Sequence, residues 1–316
     1  MLSTSRQRRG AAVLAALTAG LLLAAGCTTT SNAGQPVGRM SGMPGMTGMG
    51  DMPGMGEVSS APTTPALAAA APSGSGLLSS LHGYTLVAAA PSAAAGTPGA
   101  YTYAFRITGP NGTNVTRYQP YESAFVICYV IRSDLTEFHY LQPAMREDGT
   151  WAVVLPALPA GSYRTFVTFA APDSGEGTPL VYQLSSPFTV RGTAATVPVP
   201  TPSPGTTTAT ARVDGYDVRV SGVPKSGTSG PLTVAVAKDG KPVVSFERFL
   251  DAYVHLTAFH VGDLAYAHIL SLGAVQAGGG AMTAEALFPE RGTWRVFAQF
   301  ELNGSVHTAA LALDVP

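Results

Sequence analysis

Six methionines, Met40, Met43, Met46, Met49, Met52 and Met55, recur at an interval of three, separated by Gly, Pro, Ser, Thr and one Asp. In an extended, polyproline-like chain with three residues per turn, this spacing puts every thioether on one side. Thioethers are soft ligands that favour Cu(I) over hard cations. A flexible segment carrying several of them can wrap one or more cuprous ions. The competing explanation is a low-complexity Gly-Met repeat without a ligand. Against it, methionine is readily oxidised outside the cell, which makes six in so short a stretch a poor choice for an idle linker.

The second group with metal chemistry is histidine. His255 lies in the alternating run Tyr253 to Phe259, where Tyr253, His255, Thr257 and Phe259 share a face and His260 falls on the other. His268 follows in Asp263-Leu-Ala-Tyr-Ala-His268, beyond a tight Val261-Gly262-Asp263 turn that brings it back toward His255. His307 opens the last strand after an Asn303-Gly304 turn. Three imidazoles from separate strands could form a small metal site. Equally, each could be a structural histidine bonded at a strand end. His82 stands alone and reads as a surface residue.

These residues sit in a chain with a marked beginning. Arg6, Arg8 and Arg9 precede an apolar run from Ala11 to Ala25, too short for a membrane span of about 20 residues. It ends in Leu23-Ala24-Ala25-Gly26-Cys27, which resembles the lipobox of bacterial lipoproteins, although Ala24 stands where Leu is usual. That resemblance implies cleavage before Cys27, a diacylglycerol on its thiol, and an extracytoplasmic protein held to a cell membrane. An ordinary cleaved signal with a chance cysteine is the alternative. Each buried acyl methylene contributes about 0.8 kcal/mol to such an anchor. Cys128, the other of two cysteines, lies in the apolar run Phe125 to Ile131 and reads as a small buried hydrophobe rather than half of a disulfide.

Composition shifts divide the rest. Residues 28–76 are Thr, Ser, Gly, Pro and Ala with few aromatic or branched apolar residues, so they form a disordered tether. Residues 193–210 form a Pro/Thr-rich spacer between two blocks, 77–192 and 211–316. The blocks are duplicates. Asn111-Gly112 aligns with Asp239-Gly240, Ile127 with His255, Asp134-Leu135 with Asp263-Leu264, His139 with His268, and Gly161-Ser-Tyr-Arg-Thr-Phe166 with Gly292-Thr-Trp-Arg-Val-Phe297. Period-two runs such as Tyr101–Ile107, Tyr163–Phe169 and Trp294–Phe300, bounded by hairpin-type turns, predict all-β blocks. Two tandem antiparallel β-sandwiches, Ig-like or cupredoxin-like, follow. Thr283–Phe288 fits a strand or a short helix. Asp134 and Asp263 shape their turns.

The order His-Leu, Asp-Leu, aromatic, His and later Gly-Thr-Trp/Tyr-Arg-Val-Phe resembles a family of secreted bacterial β-sandwich proteins that often accompany copper-handling genes. The resemblance covers both blocks. It implies that His255, His268 and His307 match family histidines, and that a copper-handling envelope protein is a partner. The family usually reads His-x-His-Pro after Asp-Leu. Here Ile269-Leu270-Ser271 follows His268, and the first block has His139-Tyr-Leu-Gln-Pro143, with Ile127 where His255 would be.

Composition excludes other classes. The net charge is −1; without Arg6, Arg8 and Arg9 the 18 basic residues become 15 against 19 acidic, or −4, so no basic surface invites nucleic acid. No Gly-x-Ser-x-Gly elbow, His-Glu-x-x-His or phosphate loop occurs, and the expectation is a protein without catalysis. Three functions remain open: Cu(I) binding or sequestration at the membrane, copper delivery to a partner, and a metal-free adhesion or scaffold protein.

Overall fold

The computed structural model describes residues 75–88, 92–94, 102–122, 124–171, 180–249, 252–275 and 280–316. The expected signal segment with Cys27, and Met40 to Met55, lie outside the described residues. Among the described residues, no helix is long and apolar enough to cross a membrane.

The described residues of the first block form ten strands: β1 (Ser80–Leu81), β2 (Tyr84–Ala88), β3 (Ser92–Ala94), β4 (Thr102–Thr108), β5 (Val126–Arg132), β6 (Phe138–Leu141), β7 (Ala144–Met145), β8 (Trp151–Val154), β9 (Gly161–Ala170) and β10 (Val181–Arg191). They make two five-stranded sheets, β1-β2-β4-β8-β7 and β3-β10-β9-β5-β6. The second block forms β11 (Thr208–Val213), β12 (Tyr216–Gly222), β13 (Ser229–Lys238), β14 (Lys241–Pro242), β15 (Val254–His260), β16 (Tyr266–Val275), β17 (Ala281–Leu287), β18 (Gly292–Leu302) and β19 (Ser305–Val315). Their order is β11-β12-β13-β17-β16-β15-β18-β19, with β14 on β13. The fold is all-β and the blocks are two tandem sandwiches, as the alternating runs require. The ambiguous stretch 283–288 lies largely in strand β17.

The duplication persists in three dimensions, with β5 matching β15 and β9 matching β18. It breaks at one corner. β16 pairs with β15 near its start (Phe259 opposite Tyr266) and with β17 further on (His268 opposite Leu287), so one strand turns the corner between two sheets. At the same place in the first block the strand is cut into β6 and β7, which belong to different sheets. Gln142-Pro143 lies in the cut; proline has no N–H to carry a ladder through it.

Each sandwich has its own core. Tyr103, Phe105, Val126, Cys128, Val130, Val167 and Phe169 fill the first. Val218, Val234, Leu256, Trp294, Val296 and Phe300 fill the second. A third apolar cluster lies between the blocks. It joins Ile127, Tyr129, Ile131 and Phe166 of β5 and β9 to Phe259, Tyr266 and Phe297 of β15, β16 and β18. Strand β5 is therefore buried along its whole length: Val126, Cys128 and Val130 point into the first core, and Ile127, Tyr129 and Ile131 into the seam. Phe138 of the first block stacks on Phe297 of the second with ring centroids 4.3 Å apart and planes 13° from parallel. Offset aromatic stacks of this kind add about 0.5–1.5 kcal/mol beyond the area they bury.

The flanking segments are drawn into this seam. Ser75 accepts a hydrogen bond from the Tyr266 N–H at 2.8 Å, Leu77 accepts one from Arg164 Nη1 at 3.1 Å, and Leu78 accepts one from the Ser185 N–H at 2.9 Å. Gly76 has no room for a side chain, since a Cβ there would lie 2.7 Å from Gln183 Cγ. The stretch 193–210, expected as a spacer, is tied down as well. Ala195 accepts from Arg132 Nη2 at 3.2 Å, Val197 N–H donates to Asp134 Oδ2 at 3.3 Å, and Val199 packs on the seam. Its last residues, from Thr208, already belong to β11.

Candidate functional site

The three histidines named by the sequence do not converge. In the β15-β18-β19 register, His255 lies opposite Gln299, whereas His307 lies opposite Phe300. Directly opposed residues share a face of a sheet and successive residues alternate, so His255 and His307 project from opposite faces. His307 faces the second core, with its ring 4.9 Å from Tyr216 and 5.3 Å from Phe300 and its Nδ1 2.8 Å from Asp214. His255 faces the seam, 5.7 Å from the Phe249 ring and 6.4 Å from Tyr140.

His268 shares the seam face with His255, as the hairpin geometry predicts, but it is held by a different group. Its ring nitrogens lie 3.2 and 3.3 Å from the Tyr121 hydroxyl of the first block. Burial pushes its pKa down to about 4, so it is a neutral hydrogen-bonding residue at neutral pH. Around it the seam is a tyrosine-rich, water-poor environment: burial raises Tyr129 and Tyr266 well above the ordinary tyrosine value. His139, aligned with His268, lies 3.5 Å from Glu137, and burial lowers its pKa. Cys128 is a free, buried thiol raised to about 12 by burial.

The matched Asp-Leu pairs form one local device in both blocks. Asp134 Oδ1 accepts the Thr136 N–H and Asp263 Oδ1 accepts the Ala265 N–H, each two residues on. Leu135 and Leu264 then adopt left-handed φ values of 61° and 68°, uncommon for leucine. Both leucines dock in the seam. The seam contacts compensate for the backbone cost. Asp-Leu here builds a turn and an interface.

Beside each of these turns, at the end of the sandwich, is a slot that sequence reasoning passed over. In the first block Arg132, the last residue of β5, lies over Gly161, with Nη1 3.0 Å from Asp134 Oδ2. A Cβ on Gly161 would come within 2.5 Å of the guanidinium, and its φ is 150°. In the second block His260, the last residue of β15, lies over Gly292 in the same way, with a Cβ there 2.5 Å from Nε2 and a φ of 128°. His260 Nδ1 is 2.9 Å from Asp263 Oδ1 and 3.4 Å from Glu290 Oε1. The floor is aromatic in both. Tyr163 Oη donates to Pro159, and Trp294 Nε1 donates to Glu290, in each case the carbonyl four residues back. Among the described residues, His260, Asp263 and Glu290 form a group whose ligand atoms lie within 4.8 Å of one another. Burial pushes the Asp263 carboxyl upward, but the Ala265 N–H and the His260 imidazole more than offset it, and the net pKa lies below the ordinary value. Continuing the Ile127–His255 alignment without a gap places Arg132 against His260, and this is the signal the sequence carries for the slot.

The fold is that of a tandem antiparallel β-sandwich protein. Residues 211–316 match the model of a domain of unknown function, DUF8832. No curated protein sequence matches the chain. Among solved structures it is similar to InvD of Yersinia pseudotuberculosis, at 14% identity over 75% of this chain and 58% of that one, with a TM-score of 0.23. It is also similar to the D0-D1 domains of intimin, at 14% identity over 73% of this chain and 97% of that one, with a TM-score of 0.20. The A168–169 pair of titin matches at 12% identity over 73% of this chain and 96% of that one, with a TM-score of 0.19.

Proposed function

We propose that the chain is a lipid-anchored, extracytoplasmic bacterial protein that binds copper(I) through Met40, Met43, Met46, Met49, Met52 and Met55. The observation that carries this reading is the strict three-residue spacing of six soft sulfur ligands, just downstream of a lipobox-like sequence ending at Cys27. The folded body supplies a platform. With His255, His268 and His307 divided between two faces and several aromatic partners, cuprous binding rests on the methionines alone. Sequestration at the membrane and delivery to a copper-handling envelope partner share this chemistry. The test is a cuprous titration of the full chain against a competing chelator, repeated with all six methionines changed to leucine. The substituted chain loses most of its uptake; equal uptake by both refutes the reading. In cells, Cys27→Ala moves the protein out of the membrane fraction and abolishes incorporation of labelled palmitate.

A second reading is favoured by the aromatic seam. Two sandwiches locked through Phe138, Phe259 and Phe297 form a stiff body suited to presenting a surface away from a membrane, as an adhesion or scaffold protein does. It predicts normal protein function after all six methionines are replaced, and a protein level indifferent to copper in the medium.

A further inference from the structure

We infer that His260, Asp263 and Glu290 form a binding site for a divalent first-row transition ion, copper(II) foremost, separate from the methionine segment. The two halves of the molecule supply the argument. In the first block the slot beyond β5 holds a permanent cation: the Arg132 guanidinium lies over Gly161 against the Asp134 carboxylate. In the second block the same backbone, with the same close-fitting glycine and the same turn aspartate, carries an imidazole instead. It also gains a carboxylate, because Glu290 stands where the first block has Pro159. One fixed positive charge is lost, and Glu290 brings a carboxylate to the second slot while Ala265 stands opposite His260 where Glu137 stands opposite Arg132. Among the described residues, no Lys or Arg pairs with Asp263 or Glu290. The slot holds a fixed cation in one copy and lacks one in the other.

Its geometry suits a metal ion. Ligands at 2.0–2.2 Å from a tetrahedral centre are about 3.3 Å apart. The imidazole nitrogen lies 2.9 and 3.4 Å from the two carboxylate oxygens. Asp263 and Glu290 side chains are 47% and 43% exposed, so small rotations open the trio and water completes the shell. His260 is only 18% exposed, lies with its ring 5.2 Å from the Trp294 ring and has Nε2 pressed over Gly292, leaving Nδ1 as the nitrogen that faces the carboxylates. In the bound form Nδ1 gives its lone pair to the ion and Nε2 carries the ring's single proton. An imidazole with two carboxylates prefers copper(II) and zinc to magnesium or calcium, and copper(II) heads the divalent series. Thioethers and this site therefore select different oxidation states.

The test is titration of the full chain with Cu2+ alone, read by electron paramagnetic resonance, alongside His260→Gln, Glu290→Gln and the six-methionine-to-leucine chain. We expect one equivalent with one imidazole nitrogen coupling, weakened at least about tenfold by either site substitution and unchanged in the methionine-substituted chain. Glu290→Gln replaces a partly exposed carboxylate, and an unchanged metal-free melting curve shows that its fold survives. Unchanged Cu2+ affinity in both site variants overturns the proposal, as does full competition by equimolar Ca2+. Failure of the methionines to take up Cu(I) leaves it standing, because the two readings use different ligands.

Discussion

Phe259 is the hub of the seam. It is fully buried, and its ring lies 5.0 Å from Phe166, 5.9 Å from Tyr266, 6.1 Å from Phe138 and 6.3 Å from Phe297. Two of those partners belong to each sandwich. Phe259→Ala removes a buried phenyl group at a cost of about 3–5 kcal/mol, a large part of the stability of a typical domain. The loss has a distinctive form because the seam couples two bodies with separate cores. The molecule carries its own reporters: of its two tryptophans, Trp151 lies in β8 of the first sandwich and Trp294 in β18 of the second. Urea unfolding followed by fluorescence in Trp151→Phe and Trp294→Phe backgrounds therefore reads each sandwich separately. Before the Phe259 substitution both reporters give one midpoint. After it, the midpoints fall and separate. A loss below about 1 kcal/mol, or two midpoints already distinct with Phe259 present, would refute a seam that couples the sandwiches.

Other expectations follow from single residues. His268 is held neutral with a pKa near 4, whereas the unfolded imidazole titrates near 6.5. The unfolded state therefore binds the proton first, and stability falls as pH drops from about 6.5 to 4, by up to about 3 kcal/mol. Urea midpoints at pH 7.5 and 4 show this as a steeper fall for the native chain than for His268→Asn; equal falls would remove His268 as the cause. Gly161→Ala forces a Cβ to within 2.5 Å of the Arg132 guanidinium at a backbone angle that disfavours side chains. It lowers stability by about 1–3 kcal/mol, and an unchanged melting temperature would show that the slot is loose. Cys128, buried with its thiol raised to about 12, resists a thiol reagent in the folded protein and reacts once denaturant is added; prompt native-state labelling would contradict its placement.

Much of the fold was legible because the strands are amphipathic with period two. Trp294, Val296, Ala298 and Phe300 alternate into one core, and the Gly161 and Gly292 segments announce the repeat. The seam was legible in principle. Phe125 to Ile131 is apolar without alternation, as expected of a strand covered on both faces. The histidines were harder. Their proximity depends on which face each strand presents, and a single step along β18, from Gln299 to Phe300, separates His255 from His307. Glu290 was invisible as a partner of His260, since the two meet only when β15 and β18 pair. The turn role of Asp134 and Asp263 followed directly from local chemistry, although the docking of the adjoining leucines did not.

The attachment of Ser75, Leu77 and Leu78 has a mechanical consequence. The chain arriving at the folded body is fastened to β16 of one sandwich and to β9 and β10 of the other within four residues. A pull transmitted along the polypeptide at that point loads both sandwiches together rather than peeling one from its neighbour. Extracting the strap would have to strip Leu77 from its apolar surroundings before either domain felt torque at the joint.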